Sequence, residues 1–225
     1  EGVEALARWQ KGDGELILPE KFISLAEQTG LIMPLGEHVL NEACRCLDVW
    51  HDIDPELTMS LNVSAKQFNA QFVEKVKEAV ERFGLKPNRL ELEVKEFTLA
   101  NNEAAIDIVN EFKSLGVKIC LDDYGKGFYS LDYLKKYPID ILKVDQSFVL
   151  NMLEDKKDKA IVQTIVSLAE GLNMEPVVQG VETMLHAEEL MAVGCMSLQG
   201  FYYCRPVDEV KMRQMIGSPV ESSDY

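Results

Sequence analysis

Short apolar runs alternate along this chain with longer segments in which apolar residues recur every three or four positions. That alternation predicts strands and amphipathic helices in turn. Val3–Trp9 reads as a strand, and Pro19 to Trp50 as helical. Pro19 is suited to a first turn, and Leu35, Val39, Leu40, Ala43 and Leu47 form an apolar stripe. Further strands are predicted at Thr58–Val63, Arg89–Val94, Val117–Leu121, Ile139–Val144, Glu175–Val178 and Ser197–Gly200. Helices are predicted at Gln71–Phe83, stopped by Gly84, and at Glu103–Leu115, ended by Gly116. A short one follows near Leu131–Lys136, then Lys159–Leu172, Met184–Val193 and a helical tail.

Helical crossovers of this length force neighbouring strands to run parallel. Apolar strands covered by helices fit an α/β architecture, either a barrel or a doubly wound sheet. The seven predicted strands are one short of the usual barrel, so a first N-terminal strand is expected to be missing from the chain. Neither G-x-G-x-x-G nor a P-loop sits at a strand-to-helix turn, which weakens the nucleotide-binding sheet as an alternative. The 225 residues suit one large domain, and only 217–225 is expected to be a disordered tail.

A formal net charge of −15 argues against broad binding to nucleic acid or to an anionic membrane surface, both of which favour basic proteins. The chain has no signal-peptide pattern and no apolar run long enough to cross a bilayer. Five cysteines (Cys44, Cys46, Cys120, Cys195 and Cys204) lie in apolar surroundings. They are expected as buried, reduced thiols of a cytoplasmic protein.

Most predicted strands end in a polar or ionisable residue: Glu4, Asn62, Glu93 with Glu96, Asp122–Asp123, Lys143, Gln179 and Gln199. In β/α barrels the chemistry sits at the C-terminal ends of strands. Glu4, Asn62, Glu93 and Asp122 offer the oxygen donors that hard cations such as Mg²⁺ or Mn²⁺ take, and Asp123 offers one for a second ion. Lys143 suits a water or a phosphoryl oxygen. Taken singly, each is more often a solvated cap or a salt-bridge partner; their recurrence across strands joins them into one candidate site.

The residues that carry this pattern resemble a known family. They are Glu4-Ala5-Leu6 with Arg8, Leu61-Asn62-Val63-Ser64, Glu93-Val94-Lys95-Glu96, Leu121-Asp122-Asp123-Tyr124-Gly125, Lys143-Val144-Asp145, Gly180-Val181-Glu182-Thr183 and Gln199-Gly200. In order and spacing they are similar to the EAL domain of cyclic-di-GMP phosphodiesterases. The resemblance implies a modified TIM (β/α)8 barrel of EAL type with one antiparallel strand, a single domain over 1–216, and hydrolysis of cyclic di-GMP to linear pGpG aided by Mg²⁺ or Mn²⁺. It further implies metal ligands at Glu4, Asn62, Glu93, Asp122 and Asp123, and a water-positioning lysine at Lys143. Leu6, Arg8 and Gln199 match ligand-facing positions, and an Arg fork suits phosphate. Glu96 and Glu182 match loop-anchoring positions.

Three positions depart from the family pattern. Its E-G-V-E run is here Gln179-Gly180-Val181-Glu182. An amide is neutral and cannot act as a general base, a loss that typically costs about 10²–10⁴-fold in rate. Lys95 and Lys126 replace threonines in the E-x-T-E and D-D-F-G-T-G runs. An ammonium within about 4–6 Å of carboxylates favours their charged form. Lys95 or Lys126 is therefore expected to neutralise the acidic cluster and lower its metal affinity, unless both point into solvent. The altered loop after the Asp pair also changes a family dimerisation and regulatory element; Tyr124, Phe128, Tyr129 and Tyr133 offer packing surface there.

The expectation is a catalytically impaired EAL domain, cytoplasmic and homodimeric, that binds cyclic di-GMP or serves as a protein-interaction module. In a longer protein it would sit beside GGDEF or sensory domains, without nucleic-acid or membrane contact of its own. The alternative is an active metal-dependent phosphodiesterase in which Lys143 and the metals alone activate water.

Overall fold

The computed structural model describes residues 2–126 and 132–216. In chain order its first elements are β1 (Gly2–Ala5), β2 (Trp9–Gln10), β3 (Leu16–Ile17), α1 (Pro19–Thr29), α2 (Ile32–Trp50), β4 (Thr58–Asn62), α3 (Ala70–Arg82) and β5 (Leu90–Lys95). Then come α4 (Glu96–Ala100), α5 (Ala105–Leu115), β6 (Lys118–Tyr124), α6 (Asp132–Lys136), β7 (Ile141–Val144) and α7 (Gln146–Asn151). The last are α8 (Lys156–Gly171), β8 (Glu175–Gln179), α9 (Met184–Ala192), β9 (Ser197–Gln199) and α10 (Glu209–Met215). Phe128, Tyr129 and the 217–225 tail lie outside the described residues, as does the side chain of Tyr133.

The helix expected over Pro19–Trp50 is two helices. Gly30 ends α1 with φ of 79°, its N–H bonded to the Glu27 carbonyl. That left-handed conformation costs glycine little and turns the chain before α2 begins.

The described residues divide into two compact units, one running up to Val94 together with Asn102–Lys118, the other made of Lys95–Asn101 with the described residues from Ile119 onward. In the first unit, β4 pairs in parallel with both β1 and β5, setting Glu4 against Ser60 and Asn62 against Glu93. Leu40, Cys44 and Leu47 of α2, Val76 of α3 and Phe112 of α5 are fully buried with Leu90 and Leu92 of β5. Phe112 packs its ring 5.9 Å from Phe68 and 6.4 Å from Phe72. Each such side chain contributes roughly 1.5–3 kcal/mol through burial.

In the second unit β7 pairs in parallel with β6 and β8, and β8 with β9. Leu121, Leu142, Val144 and Val178 form the interior of these strands, covered by Val162 and Val166 of α8 and Leu190 of α9. Asp145, Asp155, Thr183 and Asp208 each cap a helix by accepting from a backbone N–H in its first turn. Within each unit these sheet pairings are all parallel; the antiparallel pair there is the short β2–β3 ribbon. The antiparallel barrel strand implied by the resemblance is not among them.

Cys44, Cys120 and Cys195 are buried, whereas Cys46 and Cys204 are half-buried. Burial pushes the Cys44 thiol up to about 12 and that of Cys195 to about 11, so both stay protonated and inert at neutral pH.

Candidate functional site

Parallel pairing sets two of the expected strand-end residues in register in the first unit, and a side-chain hydrogen bond joins a third to them. Asn62 lies opposite Glu93 at the ends of β4 and β5. Its Nδ2 donates to Glu4 Oε1 at 2.7 Å. Glu93 is buried. Leu6 is 41% exposed just beyond β1, and Arg8 donates through Nη1 to the Ala7 carbonyl at 2.9 Å. Beyond Asn62 the chain is held from behind: the Ser64 hydroxyl donates to Glu27 Oε1 at 2.6 Å, and its N–H donates to Gln67 Oε1 at 3.3 Å. Buried Gln67 carries no pattern that marks it in the sequence.

The second unit holds the Asp pair, and its geometry depends on an irregularity in β6. Leu121 faces Leu142 and Tyr124 faces Val144, so Asp122 and Asp123 together oppose Lys143 alone. This is a β-bulge, with Asp123 at φ of 56°. Asp tolerates the left-handed region better than most residues. In a regular strand neighbouring side chains point to opposite faces. The bulge breaks that alternation and gives each carboxylate its own partner.

Asp122 Oδ1 accepts a hydrogen bond from Gln179 Nε2 at 2.7 Å. Burial raises the Asp122 carboxyl above its ordinary value; the charge of Lys143 and the Gln179 hydrogen bond work the other way. Lys143 is itself buried, midway along β7 opposite Val177 of β8.

Lys95 is anchored to Asp123 rather than directed into solvent, its Nζ 2.7 Å from Oδ2. Burial lowers the Lys95 ammonium, but Asp123, with the more distant charges of Asp122 and Asp145, outweighs it and holds the group above its ordinary value. Lys126 takes a different acid. Its Nζ sits 2.6 Å from Oδ2 of Asp145, a carboxylate only 1% exposed. Asp145 also accepts from the backbone N–H of Ser147 at 2.9 Å and from the Ser147 hydroxyl. Burial works to raise this carboxyl, yet the bonds from Lys126 and Ser147 prevail and hold it below its usual range. Asp145 carries no strand-end signal of its own in the sequence; its residue type is one favoured at helix N-caps, the role it takes at α7.

Glu96 is buried in the first turn of α4, and burial raises its carboxyl. Burial, then the charge of Glu96, raises the Tyr124 hydroxyl. Gln199 pairs with Gln179 across β8 and β9, and its carbonyl accepts from the Val181 N–H at 3.1 Å. Glu182 is exposed at the entry to α9.

The donors of the first unit are oxygens of the kind that hard cations accept. Asp122, Asp123 and Asp145 of the second unit suit a cation poorly, because each already carries an ammonium or amide partner. Among the described residues no group of three or more His, Cys, Asp or Glu side chains is arranged to hold a metal ion, and no helix is long and apolar enough to cross a membrane.

The family model of the EAL domain matches residues 1–206. The chain is 44% identical over 209 residues to the bifunctional diguanylate cyclase/cyclic di-GMP phosphodiesterase MucR of Pseudomonas aeruginosa, covering 92% of this chain and 30% of that protein. It superposes on the solved PaMucR phosphodiesterase in its c-di-GMP complex with a TM-score of 0.90 and 42% identity, covering 94% of this chain and 87% of that one. The EAL enzyme Bd1971, in its cAMP and cyclic-di-GMP bound form, gives a TM-score of 0.91 at 33% identity, over 96% of this chain and 60% of that one. These superpositions bear out the expected fold class, the α/β modified TIM barrel of EAL type. The chain belongs to the EAL domain family.

Proposed function

We propose that this chain is a cyclic-di-GMP-binding EAL domain whose phosphodiesterase activity is lost or strongly reduced. The hydrogen bond from Gln179 to Asp122 carries the proposal. Where the family pattern has a carboxylate, this chain has an amide that has already donated to the neighbouring acid, so the group can neither take a proton from water nor add negative charge. EAL phosphodiesterases are metal-dependent, and the Lys95–Asp123 ion pair supports a weakened Mg²⁺ or Mn²⁺ affinity at Asp123. Glu4, Asn62, Glu93 and Asp122 retain the residue types of the family's metal ligands; Leu6, Arg8 and Gln199 retain those of its ligand-facing positions. Lys143 remains beside Asp122, but an ammonium is not a proton acceptor and does not replace the lost carboxylate. The relatives in solved structures carry cyclic di-GMP in their complexes, which supports binding as the retained function. The domain would then report nucleotide to partner GGDEF or sensory domains in a cytoplasmic, homodimeric signalling protein.

The test is cyclic-di-GMP turnover with Mn²⁺, beside equilibrium binding of the nucleotide with and without EDTA. The expected result is binding that survives EDTA, with turnover at least about 10²-fold below that of an EAL domain with the family glutamate. Robust wild-type turnover would defeat the proposal. Loss of all nucleotide binding would reduce the domain to a protein-interaction module.

A further inference from the structure

The two lysines that replace threonines are unequal in their placement. Lys126 locks Asp145, the N-cap of α7, while Lys95 meets the bulge residue Asp123 directly. Gln179 holds the other bulge residue, Asp122. Around this bulge three carboxylates, Asp122, Asp123 and Asp145, are matched by three ammoniums, Lys143, Lys95 and Lys126. With the family's residue types at 95, 126 and 179, four carboxylates would face one ammonium, an excess of negative charge that requires bound cations.

We infer that Lys95 and Gln179 act as a pair that replaces a divalent cation at Asp122–Asp123, so that this centre assembles without metal and neither reversion alone recreates a cation site. The argument is one of satisfaction at both oxygens. Returning Gln179 to glutamate adds a carboxylate beside Asp122 but leaves the Lys95 ammonium on Asp123, where it repels an incoming cation. Returning Lys95 to threonine exposes Asp123, but Gln179 still ties up Asp122 Oδ1 and supplies no charge. Only both changes together offer a cation two or more carboxylates that neither the Lys95 ammonium nor the Gln179 amide engages. The consequence for the domain is ligand binding that does not respond to divalent-cation concentration.

This inference rests on the proposed cation-independent binding function, and its test is separable from it because no nucleotide is present. Mn²⁺ is titrated calorimetrically into the wild-type chain, Lys95→Thr, Gln179→Glu and the double variant, and thermal unfolding is followed in EDTA and in Mn²⁺. The double variant should gain at least one equivalent of Mn²⁺ over wild type. Its affinity should exceed the product of the two single gains by about tenfold or more, as expected for coupled neighbours. Its unfolding midpoint should rise with Mn²⁺ while that of the wild-type chain does not. Lys95→Met, which keeps the aliphatic stem, should substitute for Lys95→Thr in the pair, and keeps the test available if the threonine variant folds poorly. A wild-type chain that already takes two Mn²⁺ ions at micromolar concentration, or a double variant whose gain is only the product of the singles, overturns the inference. Wild-type turnover of cyclic di-GMP would instead overturn the functional proposal.

Discussion

Gln179 Nε2 donates to Asp122 Oδ1 at 2.7 Å, a bond that an ionised glutamate in the same place cannot make. The amide thus has a positive role beyond the absence of a base: it satisfies a carboxylate that is only 7% exposed, and whose burial raises its proton affinity. An unsatisfied buried acceptor at this position would cost about 1–3 kcal/mol.

Replacing Gln179 by glutamate should therefore destabilise the metal-free domain, and the cost should depend on pH. Two carboxylates at hydrogen-bond distance share a proton, which raises the Asp122 carboxyl further above its ordinary value. A carboxyl raised in the folded state contributes stability that is complete below the unfolded carboxylate range and is lost as pH rises through the folded value. Urea unfolding in EDTA should show Gln179→Glu about 2–4 kcal/mol less stable than wild type near neutrality, with the gap narrowing toward pH 4. Gln179→Met, which removes the donor without adding charge, should give a smaller gap with a weaker pH slope. A pH-independent gap for the glutamate variant would contradict the shared-proton account.

Lys126→Met should uncover Asp145. The ammonium is 54% exposed, which limits its worth, but the carboxylate it serves is 1% exposed and loses its cationic partner once the lysine is gone, keeping its hydrogen bonds to Ser147 and Asp123. A loss of about 1–2 kcal/mol at pH 7 follows. The sign of the pH dependence is opposite to that of Asp122: a carboxyl lowered in the folded state contributes stability above the unfolded carboxylate range that is lost as pH falls through the folded value. Wild type and variant should converge in acid and diverge toward neutrality, readable from denaturation midpoints across pH 3–7. A gap that persists unchanged in acid would show the lysine stem, not its charge, to be what matters.

Long elements of the chain were legible because they repeat a period. The stripes of α2, α3, α5, α8 and α9 and the apolar runs of the strands mark their own positions, and strand ends then mark Glu4, Asn62, Glu93, Lys143 and Gln199. What escaped had no period to show. The helices α4 and α7 are only five and six residues long, too short for a stripe. The β2–β3 ribbon has two residues per strand. The apolar run that marks β6 stops at Leu121, whereas the strand continues through the bulge to include Asp122 and Asp123. The sequence points to Lys95 or Lys126 as a neutraliser; that one takes Asp123 and the other Asp145 depends on the bulge and on the α7 cap, which only three-dimensional pairing reveals.

Gly180→Ala should break the placement of Gln179 without touching its chemistry. Gly180 has φ of 82° and its Cβ position lies 2.6 Å from Gln146 Cβ and 3.1 Å from Gln146 Cα. Left-handed geometry costs a non-glycine residue about 1–2 kcal/mol, and overlap with a packed neighbour adds about 1–3 kcal/mol. A drop of about 2–4 kcal/mol in chemical unfolding is the expected outcome. A neutral effect would mean that the Gln179 turn relaxes freely and that the Asp122 bond does not depend on it.

Gly36→Ala tests the support behind Asn62 in the first unit. In a mid-helix position this change ordinarily gains up to about 1 kcal/mol from helix propensity. Here a Cβ would overlap the Gln67 side-chain amide, which is buried and holds the Ser64 N–H at 3.3 Å. Displacing Gln67 forfeits that bond and forces a packed side chain to move, about 1–3 kcal/mol for the strain and about 1 kcal/mol for the bond. Strain outweighs propensity, so Gly36→Ala should lower stability by about 1–3 kcal/mol. The double variant Gly36→Ala/Gln67→Ala separates this from a general intolerance of α2. With Gln67 truncated there is no overlap left, and the alanine at 36 should then be neutral or stabilising relative to Gln67→Ala alone, a coupling readable in a double-mutant cycle of urea midpoints. Equal penalties for Gly36→Ala in both backgrounds would show that Gln67 is not what the glycine accommodates.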